Sequence, residues 1–523
     1  MTPREKANEF LKIAHLFRLG TIPTENPHPR TADMSHLAVK DPSAAVSMIK
    51  SLDMDLFPVL RQRLPELGKM RSDILETLQS GGRIFLSGCG STGRLSLFLE
   101  YFWRREVKNL EWIDSVIGLM AGGDSAVVKA VEKFEDFPEY GARQMEQLGF
   151  RDGDLLLAST EGGETPFVIG TAEYAAQKSF RKPYFLYCNP DESLMPIERS
   201  RLVIENPGIV KVSLFVSHQA LSGSTRMQAS SILTAAIGLC LHAINSGYSP
   251  ADGLGLLEET VRKTDFEFLE EFIRLEADTY RQGDYVLYET NDYGMTLFTD
   301  STERSPTFSL MPFENRLDRP LVPSLSYMSF PECRNAGQAW ERLFARQPRP
   351  LDWEGMPAVS REYLQGFDFS CQAAEFREKL VAPAKMHRFS ILRHENDMVW
   401  TFRGCSHSLR VGTLPMIVEH ILLKLMLNIH STLVMGRFGR YMDNIMIYVR
   451  PSNNKLIDRA IRYIILLLKA RGSDISYEDC CYHLYEVMES LKPDEPVVLL
   501  TLNRILEEKG MERAKIGEKG ESA

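Results

Sequence analysis

The sequence predicts an α/β protein: two doubly wound parallel-sheet units in tandem, followed by a C-terminal helical cap. Three observations carry this. Short apolar runs alternate with helical patterns between residues 83 and 255, the rhythm of a parallel sheet covered on both faces. A second set of short apolar runs begins near residue 284, and the chain after residue 451 reads as helices alone. The division that follows is an N-terminal extension (1–52), a first unit (53–255), a second, diverged unit (256–450) and a helical lid (451–523). A chain of 523 residues has room for these units at roughly 100–200 residues per domain.

The elements follow in order. A helix is expected over Arg4–Phe17, and Pro23, Pro27 and Pro29 then forbid helix. Helical spacing runs from Ser43 to Ser80 and stops at Gly81-Gly82. Strands are predicted at 83–88, 114–119, 154–159, 183–188 and 210–216, with a long helix from Met227 to Asn245. A helical connector, Glu258 to Gln282, leads to strands at 284–289, 295–299, 324–329, 389–394, 398–403 and 408–412. Prolines at 306, 312, 320, 323 and 331 mark a loop-rich insertion, and Leu414–Met435 is a long amphipathic segment. Helices at Lys455–Arg471, Ser476–Leu491 and Glu495–Lys509 form the cap.

Composition narrows the function. The net charge of −9, with no long basic run, gives no electrostatic support for nucleic acid or an anionic membrane as partner. No uncharged apolar run reaches the length of a membrane span, and the first thirty residues lack a signal peptide's apolar core. Eight scattered cysteines form no C-x-x-C pair, which argues against a zinc site or disulfide framework. The vicinal pair Cys480-Cys481 reads as two helix positions. The expectation is a cytoplasmic protein with no cofactor and no metal.

Three loops carry chemistry. Ser87-Gly88-Cys89-Gly90-Ser91-Thr92-Gly93-Arg94 lies between a strand and a helix. Its glycines admit backbone N–H groups to an anion, and Ser91 and Thr92 add hydroxyls. The same pattern suits a dinucleotide, but that reading wants an acidic residue at the end of the next strand, and Asp114 starts one. Leu221-Ser222-Gly223-Ser224-Thr225-Arg226-Met227 precedes the long helix, either as a second anion nest or as an N-cap. In Thr160-Glu161-Gly162-Gly163-Glu164-Thr165-Pro166, Thr160 and the glycine amides could meet a sugar or phosphate.

With these loops in order, the chain resembles the sugar isomerase (SIS) domain family, in particular its N-acetylmuramic acid 6-phosphate etherase and glucokinase regulatory protein branches. The matching stretches are Thr24–Pro27, the 88–94 loop, Ala121–Asp124, Ala130–Asp136, Thr165–Gly170 and Ser222–Met227. The resemblance implies two SIS-type units and a phosphorylated hexose or amino sugar held by Gly90, Ser91, Thr92, Glu132, Thr160, Ser224 and Thr225. It leaves open a protein partner such as a sugar kinase. Etherase-type elimination and hydration needs two carboxylates flanking one ring, one base and one acid. One family glutamate falls on Glu135. The other falls on Phe102, and Glu100, two positions early, faces about 200° away on a helix.

An internal repeat offers a counterpart of the missing group, either as that carboxylate or as a capping or salt-bridging residue of a relic segment. Asp300-Ser301-Thr302-Glu303-Arg304-Ser305-Pro306-Thr307-Phe308 resembles the family segment that carries the absent glutamate, placing Glu303 on it. In the same register Asn291–Gly294 replaces the glycine-rich loop, and Phe344 aligns with Glu135. A family lysine falls at Thr234 in the first unit and at Lys424 in the second. One composite site is therefore expected, combining first-unit loops with Lys424 and Glu303. The primary expectation is a phosphosugar sensor or regulator; the alternative is an etherase-like lyase or sugar-phosphate isomerase using Glu135 and Glu303.

Overall fold

A computed structural model describes residues 1–17, 19–131, 134–492 and 494–516. The first sheet contains β1 (Ile84–Gly88), β2 (Val116–Met120), β3 (Leu155–Ser159), β4 (Tyr184–Tyr187) and β5 (Val210–Ser213). Its order is β2-β1-β3-β4-β5 and every pairing is parallel. β1, β2, β3 and β4 are buried at every position, which is why they read as apolar runs rather than alternating ones. The strand order reverses between β1 and β3, the place where open α/β sheets bind ligands.

The second sheet contains β6 (Tyr285–Thr290), β7 (Ser326–Ser329), β8 (Met386–His394), β9 (Asp397–Phe402) and β10 (Cys405–Arg410), in the order β10-β9-β8-β6-β7. Only β7, β6 and β8 are parallel; β9 and β10 extend the sheet as antiparallel hairpin strands. This departs from the expected fully parallel unit. Arg403-Gly404, both at positive φ, close the β9–β10 turn, and two-residue connections of this kind leave no room for a crossover helix. Polar residues alternate along β10, in keeping with an exposed edge strand.

Five helices position the site: α1 (Ser91–Glu106), α2 (Gln228–Ser246), α3 (Gly294–Phe308), α4 (Met416–Arg437) and α5 (Asn454–Lys469). α1 and α3 follow the first strands of their units and pack on each other; α2 and α4 do the same. α2 and α4 are apolar and long enough to cross a membrane, but 78% and 94% of their apolar windows are buried in the protein. They are core helices, covered by the protein on nearly every side, so the amphipathic stripe expected for 414–435 is not there and their polar residues find partners inside the protein. The cap is α5 with Tyr477–Met488 and Val497–Glu508.

Several elements differ from the reading above. Residues 295–299 are not a strand but part of α3. The pentad Met295-Thr296-Leu297-Phe298-Thr299 is rich in β-formers, yet its tertiary place decides, because it buries against α1 and α4. The 43–80 pattern is three helices (Pro42–Asp53, Leu56–Gln62 and Leu64–Gln79), and the 258–282 connector is two (Pro250–Lys263 and Leu269–Arg281). The last strand lies at 405–410 rather than 408–412.

Candidate functional site

The 88–94 loop leaves β1 at the switch point. Gly88 has no room for a side chain: a Cβ there would lie 2.2 Å from the Thr92 carbonyl carbon. Gly90 turns the chain at φ +56°, and no side chain caps α1. The Thr92 amide donates to the Cys89 carbonyl at 3.2 Å, which leaves the Ser91 and Gly93 amides of the first turn without a side-chain cap among the described residues, as an anion site requires. The Thr92 hydroxyl, expected to face ligand, instead folds the turn, accepting from the Cys89 amide at 3.1 Å and donating to its carbonyl at 2.9 Å. Ser91 is half-buried, and its hydroxyl reaches across to the second unit.

That crossing is the central feature of the site. Ser91 Oγ donates to Glu303 Oε2 at 2.8 Å, and Arg94 Nη1 donates to Glu303 Oε1 at 2.6 Å. Arg94 also donates to Thr302 Oγ1 at 3.0 Å and to the Val127 carbonyl at 3.1 Å. Deeper in the same interface, Arg226 donates to Asp300 Oδ1 at 2.9 Å and to Thr432 Oγ1 at 2.7 Å. Lys424 donates to the Arg226 carbonyl (3.0 Å), Ser231 Oγ (2.8 Å) and Asn428 Oδ1 (2.9 Å). Burial lowers the Lys424 ammonium to about 8, against the pull of Asp53. Ser91, Glu303 and Lys424 line one cavity of about 30 Å³.

On the other side of the loop, the Cys89 thiol lies 3.9 Å from Glu135 Oε2. Glu135 and Glu303 therefore approach the loop at positions separated by Gly90. Glu132 lies outside the described residues. Thr160 Oγ1 is 3.1 Å from Thr165 Oγ1 and accepts from the Gly163 amide at 3.3 Å, so it shapes the turn after β3. The Ser224 hydroxyl is buried with no hydrogen-bond partner among the described residues, and Thr225 is half-buried beside it.

The cap reaches the same region. Lys455 donates to Glu164 Oε1 at 2.6 Å, and Arg199 pairs with the other oxygen of that carboxylate. Burial alone would raise the Glu164 carboxyl, but Lys455 and Arg199 carry it down to about 2. Arg459 and Arg462 grip Glu25 of the N-terminal extension at 2.6 and 3.1 Å. Sequence reasoning missed Lys455, Arg94 and Arg226 at this place. The two arginines stood inside the quoted motifs; Lys455 had no local signal, because only the fold brings α5 over the first unit.

The corresponding place in the second unit is filled. Phe102 packs edge-to-face on His420 with ring centroids 4.7 Å apart, and Tyr293 packs on the same ring at 5.3 Å. The Tyr293 hydroxyl bonds Glu419, which also pairs with Arg393. Burial drives the His420 imidazole down to about 3. Phe344 is buried and stacks on Trp340. Glu100 is turned away from the loop and pairs with Arg346 at 2.9 Å and Arg349 at 2.6 Å.

The model of the glucokinase regulatory protein N-terminal SIS domain matches residues 66–176. N-acetylmuramic acid 6-phosphate etherase of Enterobacter sp. is 30% identical over 231 residues, 44% of this chain and 70% of that protein. The chain belongs to the SIS-domain family. The Salmonella agona etherase is 31% identical over 212 residues, and this SIS protein spans 65% of its length, while the match takes 40% of this chain. Among solved structures, the C-terminal domain of glucosamine-fructose-6-phosphate aminotransferase from Francisella tularensis aligns with a TM-score of 0.30 and 9% identity, covering 73% of this chain and 96% of that one. The identity to the etherases covers less than half of this SIS chain.

Proposed function

We propose that this protein binds a phosphorylated hexose or amino sugar at one composite site and works on it by carboxylate chemistry of the etherase type. The observation that carries this is the Glu303 carboxylate, from the second unit, resting on Ser91 of the first unit's loop at 2.8 Å, with Glu135 at the Cys89 side of that loop. The Ser91 and Gly93 amides, the Ser91 hydroxyl and the Ser224 hydroxyl would hold the phosphate. When phosphate takes the Ser91 hydroxyl, Glu303 Oε2 is freed while Arg94 still holds Oε1. Glu303 is then placed as base for the sugar C2 proton, and Glu135 as the acid for the leaving ether oxygen at C3. Water adding to the resulting double bond completes the sequence, with the proton returned by the same pair. Lys424 and Lys455 offset the charge of the phosphate and carboxylates.

A sensor or regulator is the second reading, and one observation favours it. Phe102, buried on α1, stands where the family carboxylate of the same unit is expected. Incubation with N-acetylmuramic acid 6-phosphate in heavy water separates the two. Turnover predicts lactate release and C2 deuterium incorporation, both reduced about 10²–10⁴-fold in Glu303→Gln and Glu135→Gln. Tight binding without either product selects the sensor, and absence of binding to every hexose and amino-sugar 6-phosphate contradicts both.

A further inference from the structure

Glu161 is a buried carboxyl that the reading above does not use. It follows β3 at the switch point, and its residue is 8% exposed. Its carbonyl accepts from the Cys188 amide at 3.0 Å, which fixes the backbone. Its Oε1 is buried with no hydrogen-bond partner among the described residues. Three acidic side chains at this end of the sheet have cations: Glu303 has Arg94, Glu164 has Lys455 and Arg199, and Glu25 has Arg459 and Arg462; Glu135 faces the Cys89 thiol instead. No ion pair is formed by Glu161 among the described residues. The charged groups that face it are Glu303 from α3, Lys455 from α5 and Lys424 from α4. The Cys89 thiol, which also faces Glu135, and the Cys188 thiol complete its surroundings.

We propose that Glu161 is a third carboxyl group of the sugar site and acts as an O–H donor to the bound phosphosugar, so that the ligand is taken up by the protonated form. The reason is charge. A ligand bearing a dianionic phosphate enters a space that already holds the Glu303 carboxylate. A further carboxylate without its own cation would repel it, whereas a neutral carboxyl donates a hydrogen bond to a sugar oxygen. Burial pushes the Glu161 carboxyl up to about 8, against a hydrogen bond from its own backbone amide and the charges of Lys455 and Lys424, with Glu303 adding to the rise, consistent with a proton retained at neutral pH.

This inference rests on the phosphosugar reading, and the test separates the two. Binding of glucose 6-phosphate and of N-acetylmuramic acid 6-phosphate is titrated between pH 7 and 9.5 in wild type and Glu161→Gln. The phosphate is about nine-tenths dianionic at pH 7 and more so above it, its second ionisation lying near 6. Lys424 loses charge in the same window in both proteins. The wild-type affinity is expected to fall more steeply above pH 8, by about an extra tenfold per pH unit, because one additional proton is lost. Equal slopes overturn the role of Glu161 and leave phosphosugar binding standing; no binding in either protein overturns both. A ligand-free measurement guards against a damaged variant. A carboxyl whose folded value is raised costs stability progressively as pH climbs from its unfolded value. The wild-type Tm should therefore fall relative to Glu161→Gln between pH 5 and 8, and a constant offset overturns the proposal.

Discussion

At the scale of single residues, the site is a set of charges arranged so that most anions are answered. Glu25 shows how strongly this is built in. Its carboxylate is held by two guanidiniums from the cap, and Arg459 and Arg462 outweigh burial to bring it to about 2. A value lowered from 4.5 to about 2 corresponds to a contribution on the order of 3 kcal/mol. Because the folded value is depressed, that stability is fully present above pH 4.5 and is lost as pH falls through it toward 2. Glu25→Gln is expected to lower Tm at pH 7 and to narrow the gap from wild type as the pH is taken below 4, measured by thermal denaturation at each pH. Glu303 was legible at this scale because the repeat carried its sequence context. Lys455 and Glu161 were not, since their meaning depends on which distant groups the fold places beside them.

At the scale of elements, the loops are set by glycines whose roles differ. A Cβ on Gly88 would meet the Thr92 backbone and the Gly93 nitrogen at 2.2–2.5 Å, and backbone cannot move aside. Gly88→Ala should cost about 1–3 kcal/mol by overpacking and abolish phosphosugar binding. Gly255 lies inside the helix Pro250–Lys263 with nothing within 4 Å, so Gly255→Ala should stabilise by about 0.5–1 kcal/mol and leave binding unchanged. Denaturant unfolding and ligand titration of the two variants check both statements. The first sheet was legible strand by strand, because fully buried parallel strands are short apolar runs. Residues 295–299 were misread for the same reason: α3 is buried nearly all round, so its sequence shows no amphipathic stripe to set against its strand-forming residues. The antiparallel pair β9 and β10 was seen as strands, but direction of pairing leaves little trace in a single sequence.

At the scale of the whole molecule, the function proposed above has two units dividing the work of one site. The first keeps the loops, and α1 keeps Ser91 and Arg94. The second gives up its own loop, whose place is packed with Tyr293, His420 and Phe102, and contributes Glu303 and Lys424 to the first. A packed aromatic cluster gains burial energy where a polar pocket would have needed solvent or ligand. Fusion in one chain makes this asymmetry stable, since both units are always present together. A second α/β unit was legible in the sequence, while the contact between α1 and α3 required the fold.

The measurement that tests this account most directly is a crystal structure of the protein with a hexose 6-phosphate. The account predicts the phosphate on the 88–92 and 222–226 loops and a sugar oxygen within hydrogen-bond distance of the Glu303 carboxylate. A sugar phosphate seated in the second unit's crevice beside His420, or held by the first unit with Glu303 still locked on Ser91, would contradict it.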